Sequence, residues 1–226
     1  MIRGKKYREA VKKYDSAASY EVNEAMGLVK TMSFVKFDET VDLSVKVNLK
    51  KSQSVRDTVV LPHQFRGEKK VLVFCKGEKE KEAQEAGAAY VGAEDLIEKV
   101  KGGWLDFDVA VATPDMMKDV GKLGMVLGRK GLMPNPKTGT VTFDLKGALS
   151  ELKKGRVEFR ADKTGVVHLA IGKVSMTPEQ LTENAHAVVA EIKRKRPADA
   201  KGEFIQTVSV ASTMGPGVRV AIKDEE

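Results

Sequence analysis

Residues able to do chemistry are few in this chain, and the most suggestive of them lie in glycine-rich words. Gly131 to Thr138 reads Gly-Leu-Met-Pro-Asn-Pro-Lys-Thr. That is nearly a phosphate-binding loop, with Lys137 and Thr138 where its lysine and magnesium-binding hydroxyl would stand. Pro136 takes the place of the second glycine, removing an N–H that such a loop aims at phosphate and blocking close backbone approach. Cys75-Lys-Gly-Glu78 follows an apolar run but lacks the Gly-x-Gly-x-x-Gly turn of a dinucleotide site. Glu78, Glu80, Glu82 and Glu85 would set negative charge against any phosphate there. Cys75 is the lone cysteine, and it reads as a core thiol in a reducing compartment rather than a nucleophile. His63, His168 and His186 show no paired spacing, so neither a metal site nor a cofactor is expected. No nucleophile–base pair is legible. A nucleotide-binding Rossmann-like enzyme stays as the alternative to a binding protein.

Two other segments suit recognition. Lys36-Phe-Asp-Glu-Thr40 sets an aromatic between a cation and two acids, just ahead of an alternating strand. Ser212-Thr-Met-Gly-Pro-Gly217 sets hydroxyls and a flexible thioether on a turn between two strands. One reading is an inward-packing Phe and an ordinary tight turn. The other is a contact surface for folded RNA, with Phe37 and Met214 as apolar faces, and Thr213 and the Gly215 backbone as hydrogen-bonding groups. Lys36, Arg160, Lys163, Lys173 and Arg219 would supply its electrostatics. Lys193 to Arg196, at a helix end, reads as a solvated run complementing the helix dipole.

The elements that position these residues fall into three zones. In the first, Val22, Met26 and Val29 mark a helix from Tyr20 to Met32, and Val41, Leu43, Val45 and Val47 alternate as a half-exposed strand. Lys50 to Ser54 reads as a hairpin-like turn into a second strand, Val55 to Pro62. The middle zone alternates apolar strands (Val71 to Cys75, Tyr90-Val91, Asp108 to Thr113) with helices. Glu78 to Ala86 and Ala93 to Val100 are two of them, another starts at Thr113-Pro114-Asp115, and Leu145 to Lys154 is capped by Asp144. That rhythm predicts a small parallel sheet flanked by helices. Gly128 to Val141 is expected to be one long ordered loop, docked by Leu132, Met133 and Val141. The last zone has a hairpin around Asp162 to Gly165 and a capping box at Thr177-Pro-Glu-Gln180. Leu181, Ala185, Val188 and Ile192 form the stripe of its helix, and Phe204 to Val210 and Val218 to Ile222 are strands.

The outer zones share one texture and the centre another, which predicts two domains. A split α+β sandwich domain spans residues 1–65 and 156–226, and an α/β domain, residues 66–155, is inserted into it. The 226 residues suffice for both, and the formal charge of +7 favours a polyanionic partner. The centre holds 16 basic and 14 acidic residues against 23 and 18 outside it, which tilts the excess towards the split domain. Neither a signal-like N-terminus nor a run of roughly 18 apolar residues is present, so a cytosolic protein without a membrane partner is expected.

Phe37-Asp-Glu-Thr40, Gly103-Trp104 with Asp106-Phe-Asp108, Ala112-Thr-Pro-Asp115, Gly131-Leu-Met-Pro-Asn-Pro-Lys137 and Ser212-Thr-Met-Gly-Pro216 occur in one order. Together they resemble the bacterial L-one family of large-subunit ribosomal proteins across nearly the whole chain. The resemblance implies a split α+β domain carrying both termini, with an inserted Rossmann-like α/β domain. It implies binding to large-subunit rRNA at the mobile stalk beside the exit site, among other ribosomal components, where the stalk moves with departing deacylated exit-site tRNA. It also implies repression of the protein's own operon mRNA. By motif, it places the RNA surface on Lys36, Phe37, Glu39, Thr40, Thr213, Met214 and Gly215, and the neighbouring hairpin adds His168 and Lys173. Four features depart from the family's pattern. Asp57 and Arg129 stand where Gly and Pro are usual, Asn48 to Ser54 is shortened, and Gln64-Phe-Arg-Gly67 replaces a Gly-rich hinge approach.

Overall fold

The computed structural model describes residues 4–49, 55–67, 69–77, 79–197 and 202–221, with the residue-137 side chain left out. The expected turn at Lys50 to Ser54, Glu78 at the start of its helix and Ile222 at the end of its strand lie outside the described residues. The chain runs through α1 (Lys5–Val11), β1 (Ser19–Tyr20), α2 (Val22–Met32), β2 (Thr40–Val47) and β3 (Arg56–Val60). It continues through β4 (Val71–Phe74), α3 (Lys79–Glu85), β5 (Tyr90–Gly92), α4 (Glu94–Lys101) and β6 (Val109–Ala112). Next come α5 (Met117–Val120), α6 (Gly124–Lys130), α7 (Leu145–Lys153), β7 (Arg156–Arg160) and β8 (Val166–Lys173). Then α8 (Pro178–Arg194), β9 (Ile205–Ser212) and β10 (Val218–Val220) follow. Two compact units result: Met1–Phe65 with Val157–Glu226, and Arg66–Arg156.

The first unit is built on a five-stranded sheet of order β1-β10-β9-β2-β8, beside a two-stranded sheet of β3 and β7. Alternation along β2 sends Val41, Leu43, Val45 and Val47 into the core, where Met26 and Val29 of α2 and Leu181, Ala185, Val188 and Ile192 of α8 meet them. The capping box starts α8 as its sequence predicts: Thr177 Oγ1 accepts from Gln180 N–H while Gln180 Oε1 accepts from Thr177 N–H. Fully buried Asn184 binds this helix to its surroundings. Its Nδ2 donates to Ile171 O at 2.7 Å and to His63 O at 2.9 Å, and its Oδ1 accepts from His63 N–H.

Two pairings differ from sequence expectation. β2 pairs with β8 and β9 rather than with β3, which lies beside β7. The Asp162 turn forms, but after one bridge, Ala161 to Val167, β7 and β8 diverge into separate sheets. Sequence alternation sets which face of a strand is buried and leaves its neighbours open.

The second unit is a parallel three-stranded sheet, β5-β4-β6, between helices. Leu72 and Phe74 of β4 pack with Leu96, Val100, Met116 and Leu127 on one side. Val71 and Val73 pack with Ala83, Leu145 and Leu149 on the other. Burial on both faces explains the unbroken apolar run. The glycine-rich segment is not all loop. Helix α6 continues to Lys130, and Gly131, at φ 72° in the left-handed region, closes it. Leu132 and Met133 then dock on the core, Val141 bridges Ala112, and Pro136–Thr138 is a 3₁₀ turn. Leu123 and Leu127, buried beneath, hold the helix despite Gly124 and Gly128.

Candidate nucleic-acid interface

The approach to β2 and the turn after β9 meet at one end of the five-stranded sheet, although 173 residues separate Thr40 from Thr213. Register explains this: Val41 pairs with Ser212, and Thr40 pairs with Lys173 across the other edge of β2. The ladder is extended one step by a side chain. Thr213 N–H donates to Thr40 O at 3.0 Å, Thr40 N–H donates to Thr213 Oγ1 at 3.1 Å, and that hydroxyl lies 3.2 Å from Thr40 O. A hydroxyl that both accepts and donates here mimics a paired peptide group.

Glu39 is 1% exposed, and its Oε1 accepts the Met214 N–H at 2.8 Å. It lies beneath the surface, and its carboxylate braces the turn. Its backbone O accepts from Val174 N–H, joining the start of β2 to the end of β8. Asp38 accepts from Ser175 N–H at 3.1 Å and from Ser175 Oγ at 2.9 Å, with Lys173 Nζ 3.7 Å away. Gly215 is required by space. A Cβ there would strike Ser212 Oγ, and Gly215 N–H donates to Ser212 O to close the turn.

Over this braced base, Phe37 is 56% and Met214 51% exposed, and Lys36 is exposed beside them. Two large apolar side chains are thus left in solvent on a braced corner. The structure thus brings together Lys36, Phe37, Glu39, Thr40, Lys173, Thr213, Met214 and Gly215. It does not bring Arg160 and Lys163 to them: both lie by the turn that opens β8, at the far end of that strand. His168 sits midway along β8, its Nδ1 hydrogen-bonded to Ser44 Oγ at 3.0 Å. Asp38 and Ser175 were missed as a lock because nothing local marks a contact spanning 137 residues.

In the second unit, Cys75 is fully buried and desolvation pushes its thiol up to about 11, so it is an inert core group. The Pro-bearing segment turns upon itself: Thr138 N–H and Oγ1 both donate to Asn135 O, and Asn135 N–H donates to Thr140 Oγ1. Its polar groups serve the loop, unlike the open amide nest of a phosphate site.

The first unit presents a braced corner bearing Phe37, Met214 and Lys36, and in the second unit the thiol is buried and the loop is bonded to itself. Comparison with known proteins supplies the family. Residues 29–216 match the Ribosomal protein L1p/L10e family. A Treponema denticola protein named large ribosomal subunit protein uL1 is 67% identical over 223 residues, covering 99% of each chain. Proteins of the same name from Treponema pallidum (60% over 226 residues, all of both chains) and Leptospira biflexa (57% over 224 residues, 99% of this chain and 97% of the other) are also similar. The chain belongs to the ribosomal protein L1p/L10e family. It is a ribosomal protein and not an enzyme.

Proposed function

We propose that this protein is a structural component of the cytoplasmic large ribosomal subunit, and that its split unit binds the mobile rRNA stalk beside the exit site. The observation that carries the reading is the corner itself, where Phe37 and Met214 stand half-exposed on a base fixed by Thr213, Thr40 and Glu39. Folded RNA offers what such a corner can take: unstacked base faces for the apolar side chains, and 2′-hydroxyls and phosphates for Lys36 and Lys173. Preorganisation raises affinity because the ordering is completed on folding. Held this way, the stalk protein assists departure of deacylated tRNA. A segment of its own operon mRNA that presents the same surface competes with rRNA and is repressed.

The test is binding of the full chain to a stalk rRNA fragment against a scrambled RNA at two salt concentrations. Tight discrimination that survives the higher salt is expected, and equal binding erased by salt would defeat the reading. Addition of the operon mRNA leader should displace the stalk fragment competitively.

A further inference from the structure

The turn that carries Thr213 and Met214 ends on Gly215-Pro216-Gly217, and glycine has more backbone freedom than any other residue. Gly215 is confined by Ser212, but beyond the chain neighbours of Gly217 no described atom lies within 4 Å of where its Cβ would be. Packing therefore does not fix that end of the turn. A hydrogen bond does: Tyr14 Oη donates to Gly217 O at 2.9 Å, across 203 residues of sequence. Tyr14 is itself firmly placed. Its half-buried ring packs on the core of the split unit, 6.4 Å from the ring of Tyr20. Tyr20 Oη accepts from Asp15 N–H at 2.9 Å and lies 3.3 Å from Asp15 O, which holds the residue after Tyr14. On the residue before it, Lys13 Nζ donates to Thr31 O in the last turn of α2. Tyr20 also ends β1, the strand that pairs with β10 just past the turn. Donor and acceptor thus stand on one frame. Burial, with Tyr7 and Tyr20 nearby, raises the phenol above its ordinary pKa, so the donor keeps its proton in neutral solution.

We infer that Tyr14 is a positioning residue: its hydroxyl fixes the trailing end of the Ser212–Gly217 turn, so that Thr213 and Met214 meet RNA already in place. The inference rests on the rRNA-binding reading above and adds a residue that acts through the turn rather than on the RNA. The turn is then tied along its whole length. Gly215 N–H donates to Ser212 O, Glu39 Oε1 accepts from Met214 N–H, and Tyr14 holds Gly217. The first two bonds constrain the turn up to Gly215, and the third acts on the last residue before β10. A tyrosine suits the task, because its rigid ring has only two torsions to order and delivers its hydroxyl far from its own backbone. Its phenolic hydrogen is already committed to Gly217 O. A turn ordered on folding need not be ordered on binding, and that difference appears as affinity.

Full-chain Tyr14→Phe, which keeps the ring on the core and removes only the hydroxyl, tests this in two ways. In the free protein, amide hydrogen exchange at Met214 and Gly215 should quicken about fivefold while the amides of β2 stay protected. Affinity for the stalk rRNA fragment should fall about fivefold with an unchanged salt slope, since no charge is removed. The same change made in a Met214→Ala chain should cost less than about twofold more, because the contact that Tyr14 positions is already gone. Unchanged turn exchange, with any quickening confined to α1, would overturn the inference and leave Tyr14 as an anchor for that helix alone. An equal loss of affinity with and without Met214→Ala would also overturn it, while leaving the corner standing. Failure of the wild-type chain to discriminate the stalk fragment would defeat the rRNA reading and this inference with it. Quickened turn exchange in that case would place the failure in the partner and not in the brace.

Discussion

Thr213 does with one hydroxyl what a further residue pair would do in a longer ladder, and this makes it the most informative single position. Thr213→Ala removes both side-chain bonds to Thr40 and should cost roughly 1–3 kcal/mol of rRNA affinity, whereas Thr213→Ser should retain most of it. Titration with the stalk fragment reads both, and unchanged affinity in a folded Ala variant would remove Thr213 from the site. Glu39 acts from below. Glu39→Ala leaves the Met214 N–H without its acceptor and should lower stability by about 1–3 kcal/mol as well as weaken binding, seen as a shifted urea midpoint. Lys36→Ala belongs to another class: exposed and peripheral, it should weaken all RNAs alike and flatten the salt dependence by about one ion. Phe37 and Met214 were legible in the sequence because their flanking words set them at the ends of strands. The burial of Glu39 was not, since an acid next to an exposed aromatic reads as surface until strand pairing closes over it.

At the scale of elements, local chemistry was readable wherever neighbours in sequence decide the outcome. Thr177 with Gln180 starts α8, Asp144 caps α7 through Gly147 N–H, and the continuous run of β4 forecast a strand covered on both faces. Thr177→Ala should destabilise the first unit by about 1 kcal/mol, measurable by denaturation followed through α8. Partner choice was not readable. Nothing in the local sequence of β3 or β9 says which of them flanks β2. The extent of α6 was misjudged: glycines at 124 and 128 argue against helix in isolation, while buried Leu123 and Leu127 outweigh a propensity cost of about 1 kcal/mol per glycine.

For the molecule as a whole, Cys75 reports on integrity. Its folded pKa is raised to about 11 from an ordinary 9.0, so the folded state holds the proton more tightly. The associated stability is fully present below pH 9 and is lost as pH rises towards 11, by about 3 kcal/mol. Alkylation at pH 8 should therefore be negligible in native protein and rapid in denaturant; fast native modification would show that the second unit opens readily. The separation of Thr40 from Thr213 also bears on how the protein is made. During synthesis Thr213 emerges 173 residues after Thr40. A growing chain has no corner to offer, and one cut short by a premature stop never acquires it. The corner is thereby withheld from any chain stopped before the Thr213 turn, a check made by nothing more than which strands lie side by side.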